Sequence, residues 1–177
     1  MNEWYLIPLM GGLYAVVWVG IICLIIKSVN NVWEKRYYVD DFGKKTNSGY
    51  ISLKKRYSGW FNNSLGERRI MNYIVTIEQT GVAFKIWEYE RYVVNNDTSS
   101  VVTMDIKCLG NTTGDILYSS LNLYANSGKL WLVENHNEFI DLLKNNKSVQ
   151  IIITYGVKKY ELKLKQGNLI KILDNIK

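Results

Sequence analysis

The chain has 177 residues, 22 Lys or Arg against 16 Asp or Glu for a net charge of +6, two cysteines and one histidine. That length accommodates one ordinary domain with a short additional segment. The lone His136 excludes two-histidine nucleases and zinc hydrolases, Cys23 and Cys108 fall in separate segments and so form neither an intradomain disulfide nor a cysteine metal site, and the modest basic balance comes without a nucleic-acid-binding motif.

The first predicted element is residues 4–26, WYLIPLMGGLYAVVWVGIICLII, 23 residues without a charge. At about 1.5 Å per residue such a helix crosses the ~30 Å hydrocarbon core of a bilayer, so a transmembrane helix is expected. A cleaved signal peptide would need a positive amino-terminal region and a small-residue cleavage site, whereas this stretch follows Met1-Asn2-Glu3 and stays bulky to Ile26. Cys23 follows Ile22, not the small residue that usually precedes a lipid-modified cysteine. The expected partition is an anchor with a polar exit over 1–30 and a β-sandwich-like domain over 31–177.

No Lys or Arg precedes the apolar run, while Lys27, Lys35, Arg36, Lys44, Lys45, Lys54, Lys55 and Arg56 follow it. A single-pass cell-membrane protein is expected; the positive-inside rule favours an amino terminus outside and a cytoplasmic domain, with the opposite orientation as the alternative. The lipid bilayer is thus an expected partner, and the basic residues are either available to anionic headgroups or simply solvated strand and loop charges.

From residue 32 the pattern changes to alternation. VWEKRYYVD sets Trp33, Tyr37 and Val39 against Glu34, Arg36 and Tyr38, and IMNYIVTIE sets Met71, Tyr73, Val75 and Ile77 against Asn72, Ile74, Thr76 and Glu78. Period-two alternation rich in β-branched and aromatic residues predicts half-buried strands. EQTG followed by VAFKIWEYE reads as a hairpin turning near Gly81. VVTMDIKCL points Val102, Met104, Ile106 and Cys108 one way, which makes Cys108 a small core residue; a turn leads to ILYSSLNLY, and NSGKLWLV adds a short strand.

NEFIDLLKNN has Phe139, Leu142 and Leu143 at helical spacing behind Asn135 or Asn137 as a cap. A hairpin about Gly156 follows, with Tyr160, Leu162 and Leu164 on one face, and NLIKILDNIK places Leu169, Ile172, Leu173 and Ile176 on one helical stripe. The expected fold is mainly β: a single transmembrane helix followed by an antiparallel β-sandwich-like domain of about eight strands, with two short C-terminal helices.

Asp41-Phe42-Gly43 matches the magnesium-holding motif of protein kinases in letters alone, since the upstream glycine-rich loop and catalytic loop have no room before it. Asp40 and Asp41 read as turn residues with Gly43 at positive φ. Gly43-Lys44-Lys45-Thr46 lacks the glycine spacing of a P-loop. Without a Gly-x-Ser-x-Gly elbow, His136 reads as a polar residue beside a helix cap rather than a catalytic base. Glu88 and Glu90 are expected to share a strand face as a charged edge.

Aromatic residues are more informative. Tyr57, Trp60, Phe61, Trp87, Tyr89 and Tyr92 lie in strands that cannot bury them all, and Tyr57, Trp60, Trp87 and Tyr89 form the candidate interaction surface, suited to protein or carbohydrate.

Tyr38-Val39-Asp40-x-Phe42-Gly43-x-x-Thr46, Tyr50-Ile51, Phe61-Asn62-Asn63-Ser64 and Ile86-Trp87-Glu88-Tyr89 resemble a group of small uncharacterised bacterial β-rich proteins. That group shares the pattern V-D-E-F-G-x-x-T, F-S-N-S and L-Y-E-Y and is usually secreted or envelope-associated. The resemblance covers residues 37–92, departs at Lys44-Lys45, and implies a bacterial β-rich protein without supplying an activity. The functional expectation is a membrane-anchored accessory or binding protein of a bacterial envelope, its β-domain contacting a protein or envelope component. No catalytic residue, cofactor, metal, nucleic acid or small-molecule substrate is expected. The alternatives are an envelope-polymer hydrolase using Asp40, Asp41, Glu88 or Glu90, and a phage- or prophage-encoded protein that blocks an envelope process.

Overall fold

The computed structural model describes residues 31–94, 101–109 and 116–174. The strands are β1 (Trp33–Val39), β2 (Lys45–Leu53), β3 (Tyr57–Asn62), β4 (Arg68–Glu78), β5 (Gly81–Glu88), β6 (Arg91–Tyr92), β7 (Val101–Leu109), β8 (Ile116–Asn126), β9 (Lys129–Leu132), β10 (Ser148–Tyr155) and β11 (Lys158–Lys165). Two helices, α1 (His136–Asn145) and α2 (Leu169–Asp174), follow β9 and β11.

All strand pairs are antiparallel, and β4–β3–β11–β10–β7–β8–β9–β5 returns to β4 as a closed eight-stranded barrel. The expected β-sandwich is therefore corrected to a barrel. Inward and outward residues alternate identically along a strand whether two sheets face each other or one sheet rolls up. What separates the two outcomes is pairing between distant strands: Val82 with Leu132 joins β5 to β9, Tyr160 with Phe61 joins β11 to β3, and Ile151 with Ile106 joins β10 to β7.

The inward set is the core. Tyr73, Val75, Phe84, Ile86, Met104, Leu123, Leu130, Ile151, Tyr160 and Leu162 are all buried in one apolar cluster. Cys108 belongs to it, and burial pushes its thiol upward. At the end of the barrel where β5 begins, α1 buries Phe139 and Leu143, and Phe139 meets the Phe84 ring edge-on at 5.7 Å. Asn135 does stand at the N-cap of α1, with φ 57°, but its side chain makes no capping bond. The His136 ring Nδ1 lies 2.8 Å from the Val133 carbonyl oxygen, which fixes that nitrogen as the donor.

β1 and β2 form a ribbon outside the ring. β2 reaches the barrel only through Ile51–Ile77 and Ser52–Thr76, on the edge of β4 whose other half pairs with β3. Asn168 fastens the start of β1: its Oδ1 accepts the Val32 and Trp33 amides at 2.9 and 2.8 Å, and its Nδ2 donates to the Trp33 carbonyl at 2.8 Å. At the far end, the Asp40 carboxylate accepts the Phe42 and Lys44 amides, Gly43 has φ 76°, and Phe42 is 96% exposed. VDDFG is thus the end of a strand and a turn, as its residue types predict.

Among the described residues no helix is long and apolar enough to cross a membrane. The longer helix, α1, has 10 residues, about 15 Å, or half of the ~30 Å a span needs. The single-pass membrane placement and the sidedness attached to it are corrected on this ground. The run over 4–26 from which they were expected lies outside the described residues.

Candidate functional site

The four residues of the expected interaction surface separate into three places. Trp60 and Trp87 lie on the outer wall, Tyr57 lies on the inner wall, and Tyr89 stands in the turn between β5 and β6. Strand parity explains this, because positions 57 and 60 differ by an odd number and must face opposite ways. Tyr57 packs toward the core, its ring 6.3 Å from that of Tyr73.

On the outer wall, Trp60 of β3 sits opposite Ile70 of β4 in register, and the two are 42% and 61% exposed. The Arg68 guanidinium lies 4.6 Å from the Trp60 ring centre while bonding the Glu161 carboxylate at 2.8 Å. One row along, Trp87 pairs with Asn72 and with Tyr92, whose ring is 5.2 Å away. The Arg56 guanidinium lies 4.4 Å from the Trp87 ring and 3.3 Å from the Glu90 carboxylate, leaving Trp87 only 6% exposed. Ile70, Arg56 and Arg68 were missed at the sequence level; Ile70 is the outward-facing apolar position at the start of IMNYIVTIE and carried a usable signal.

A second cluster lies at the barrel end remote from the helices. Glu88 ends the inward face of β5, and its carboxylate accepts the Tyr160 hydroxyl at 2.5 Å and the Lys158 ammonium at 2.7 Å. Tyr160 is fully buried, with its ring stacked on Phe61 at 6.0 Å. Burial, and then the neighbouring Glu88 carboxylate, push the Tyr160 phenol well above its ordinary range, so it acts as a donor. Tyr89 meets Phe61 edge-on at 5.7 Å.

Tyr89 and Glu90 have φ of 47° and 64°. Two consecutive left-handed residues make the turn type usually built from Asn-Gly, and each non-glycine residue there costs about 1–3 kcal/mol. This turn also corrects the expected pairing of Glu88 with Glu90. Strand alternation stops at Glu88, and Glu90 turns to Arg56 and Asn72 on the outer wall. Three of the four carboxylates of the hydrolase alternative are thus engaged separately: Asp40 closes the ribbon turn, Glu88 holds Tyr160 and Lys158, and Glu90 holds Arg56, while Asp41 stands beside Asp40 in the ribbon turn, away from the other two. Among the described residues no group of three or more His, Cys, Asp or Glu side chains is placed to hold a metal ion.

No family model matches the chain, and no curated protein or solved structure matches it either.

Proposed function

We propose that the barrel is a binding module whose outer wall across β3, β4, β5 and β6 docks another protein. The observation that carries the reading is the cross-strand pair Trp60–Ile70, exposed side by side and flanked by two arginines already laid on tryptophan faces. Trp, Tyr and Arg are the residue types that dominate binding energy at protein interfaces. A guanidinium held by an aromatic face and a carboxylate has less rotamer freedom left to lose on association. Arg56 and Arg68 are balanced by Glu90 and Glu161 on the same wall and Lys85 lies over the Tyr92 ring, so the partner suited to it presents an apolar side chain beside a carboxylate that can share these cations.

The test is site-specific photo-crosslinking in the native host. Ile70→p-benzoylphenylalanine should give a discrete adduct that Trp60→Ala removes, while the same probe at Tyr118, exposed on β8, should not give it. The same adducts from both positions, or none from Ile70, would refute the reading.

A further inference from the structure

We propose that the recess beside Glu88, at the barrel end remote from the helices, binds an acidic saccharide, a ligand beyond the protein partner assigned to the outer wall. The recess has a volume of about 530 Å³ and is lined by Glu88, Tyr89, Arg91, Tyr155, Lys158 and Tyr160 among others. Small-molecule sites typically span roughly 300–1,000 Å³, with apolar walls and a few convergent polar groups.

The polar groups here suit adjacent hydroxyls. The Glu88 carboxylate has about four acceptor positions, and Tyr160 and Lys158 fill one each. The Lys158 ammonium keeps further N–H donors and is partly exposed. An acceptor and a donor thus stand side by side at the 2.7 Å of their own ion pair. Vicinal diols, in which each hydroxyl both donates and accepts, match that arrangement.

The walls supply the ring contact. Tyr89 is 66% exposed, and the strained turn that holds its ring against the edge of Phe61 keeps it at the border of the recess. Tyr155 lines the recess from the end of β10, so an aromatic ring is available from each of two hairpins for the C–H face of a pyranose.

Charge then selects among saccharides. Arg91 is exposed, lines the recess opposite Glu88 in the β5–β6 pairing, and has no ion-pair partner among the described residues. Lys158 and Arg91 against Glu88 leave one positive charge in excess, which a carboxylate on the ligand would neutralise; guanidinium groups favour that geometry.

The experiment uses the full chain with three probes: trigalacturonate, the neutral maltotriose, and triglutamate, which has carboxylates and no diols. Saturation-transfer NMR and isothermal titration should detect trigalacturonate alone. Arg91→Ala and Tyr89→Gly should each weaken its binding at least about tenfold, close to 1.4 kcal/mol. Glycine accepts the left-handed conformation without strain, so Tyr89→Gly removes the ring while preserving the turn. Trp60→Ala should leave binding unchanged, which separates this site from the outer wall. The proposal is overturned if trigalacturonate gives no signal, if maltotriose or triglutamate binds as well, or if Tyr89→Gly and Arg91→Ala bind like the unaltered chain.

Discussion

Gly59 of β3 faces the main chain of Glu161 on β11 so closely that a Cβ at position 59 would lie 2.4 Å from the Glu161 carbonyl oxygen and 2.6 Å from the Met71 methyl group. The β3–β11 seam rests on only two residue pairs, Tyr160–Phe61 and Glu161–Trp60, so there is little ladder to absorb a shift. A clash with backbone cannot be relieved by a rotamer change. Gly59→Ala should therefore destabilise the barrel by about 2–3 kcal/mol, in the range of overpacked interiors. Ser58→Ala, one residue away on the exposed face, should stay within about 0.5 kcal/mol. Urea unfolding of both variants checks this, and equal midpoints would mean that the seam is not tight.

The seam also marks where the sequence stops being legible. β4–β5, β7–β8 and β10–β11 are neighbours along the chain, and alternation with turn residues at Gly81 and Gly156 identifies them. Closure depends instead on Val82 finding Leu132 and Tyr160 finding Phe61, pairings between strands whose apolar patterns match several others equally well. The site divides in the same way. Trp60 and Trp87 can be placed on the outer wall by parity, and Tyr57 on the inner wall. Grouping those three by residue type alone hides the division. Nothing local connects Glu88 to Tyr160 across 72 positions, and the positive φ of Tyr89 runs against what a tyrosine in an alternating run predicts.

Asn168 substitutes for a neighbouring strand at the beginning of β1, satisfying two amides and one carbonyl with one side chain. Each hydrogen bond contributes about 1 kcal/mol and leaves a costly unpaired group when removed. Asn168→Ala should lower stability by about 2 kcal/mol. Amide exchange at Val32 and Trp33 should accelerate more than at Phe84 in the barrel. Uniform acceleration along the chain would show that Asn168 acts on the whole fold rather than on β1.

Alkaline pH should expose the buried tyrosines. Burial, opposed by a hydrogen bond from the Lys163 amide, pushes the Tyr73 phenol up to about 12. Burial, and then the Glu88 carboxylate, shift the Tyr160 phenol in the same direction. An unfolded tyrosine titrates near pH ~10, so above that pH the unfolded chain releases protons that the native chain retains. The stabilising contribution is full below about pH 10 and is lost as pH rises toward about 12. Urea midpoints should hold steady up to about pH 9 and then fall, with a shallower fall in Tyr73→Phe. An unchanged slope in that variant would remove Tyr73 from the account.

In the ribbon turn, Gly43 donates its amide to the Asp40 carbonyl at 2.9 Å, and its Cβ position is open. Only the backbone conformation opposes substitution there. Gly43→Ala should cost about 1–2 kcal/mol locally, the penalty of a left-handed L-residue. Phe42→Ser should change stability by less than about 0.5 kcal/mol, since the ring is almost wholly exposed. Two-dimensional NMR should confine the Gly43→Ala shifts to β1 and β2, and shifts in β7 or β10 would count against a local role.

The Glu88–Tyr160 bond should behave as a coupled pair. Tyr160→Phe removes the donor, but Glu88 retains Lys158 and Phe61 still has a ring to stack on, so the loss should be about 1–2 kcal/mol. Glu88→Gln keeps an acceptor for Tyr160 yet leaves the Lys158 ammonium facing a neutral amide. Lys158 is partly exposed, so water replaces much of that ion pair, and the loss should again be about 1–2 kcal/mol rather than the larger cost of a fully buried charge. The double variant has no charge-assisted bond left to break twice. Its loss should fall short of the sum of the single losses by about 0.5–1.5 kcal/mol, read from urea unfolding of all four proteins. Additivity within about 0.3 kcal/mol would show that the two residues stabilise the barrel independently, and the short hydrogen bond between them would then carry no net stability.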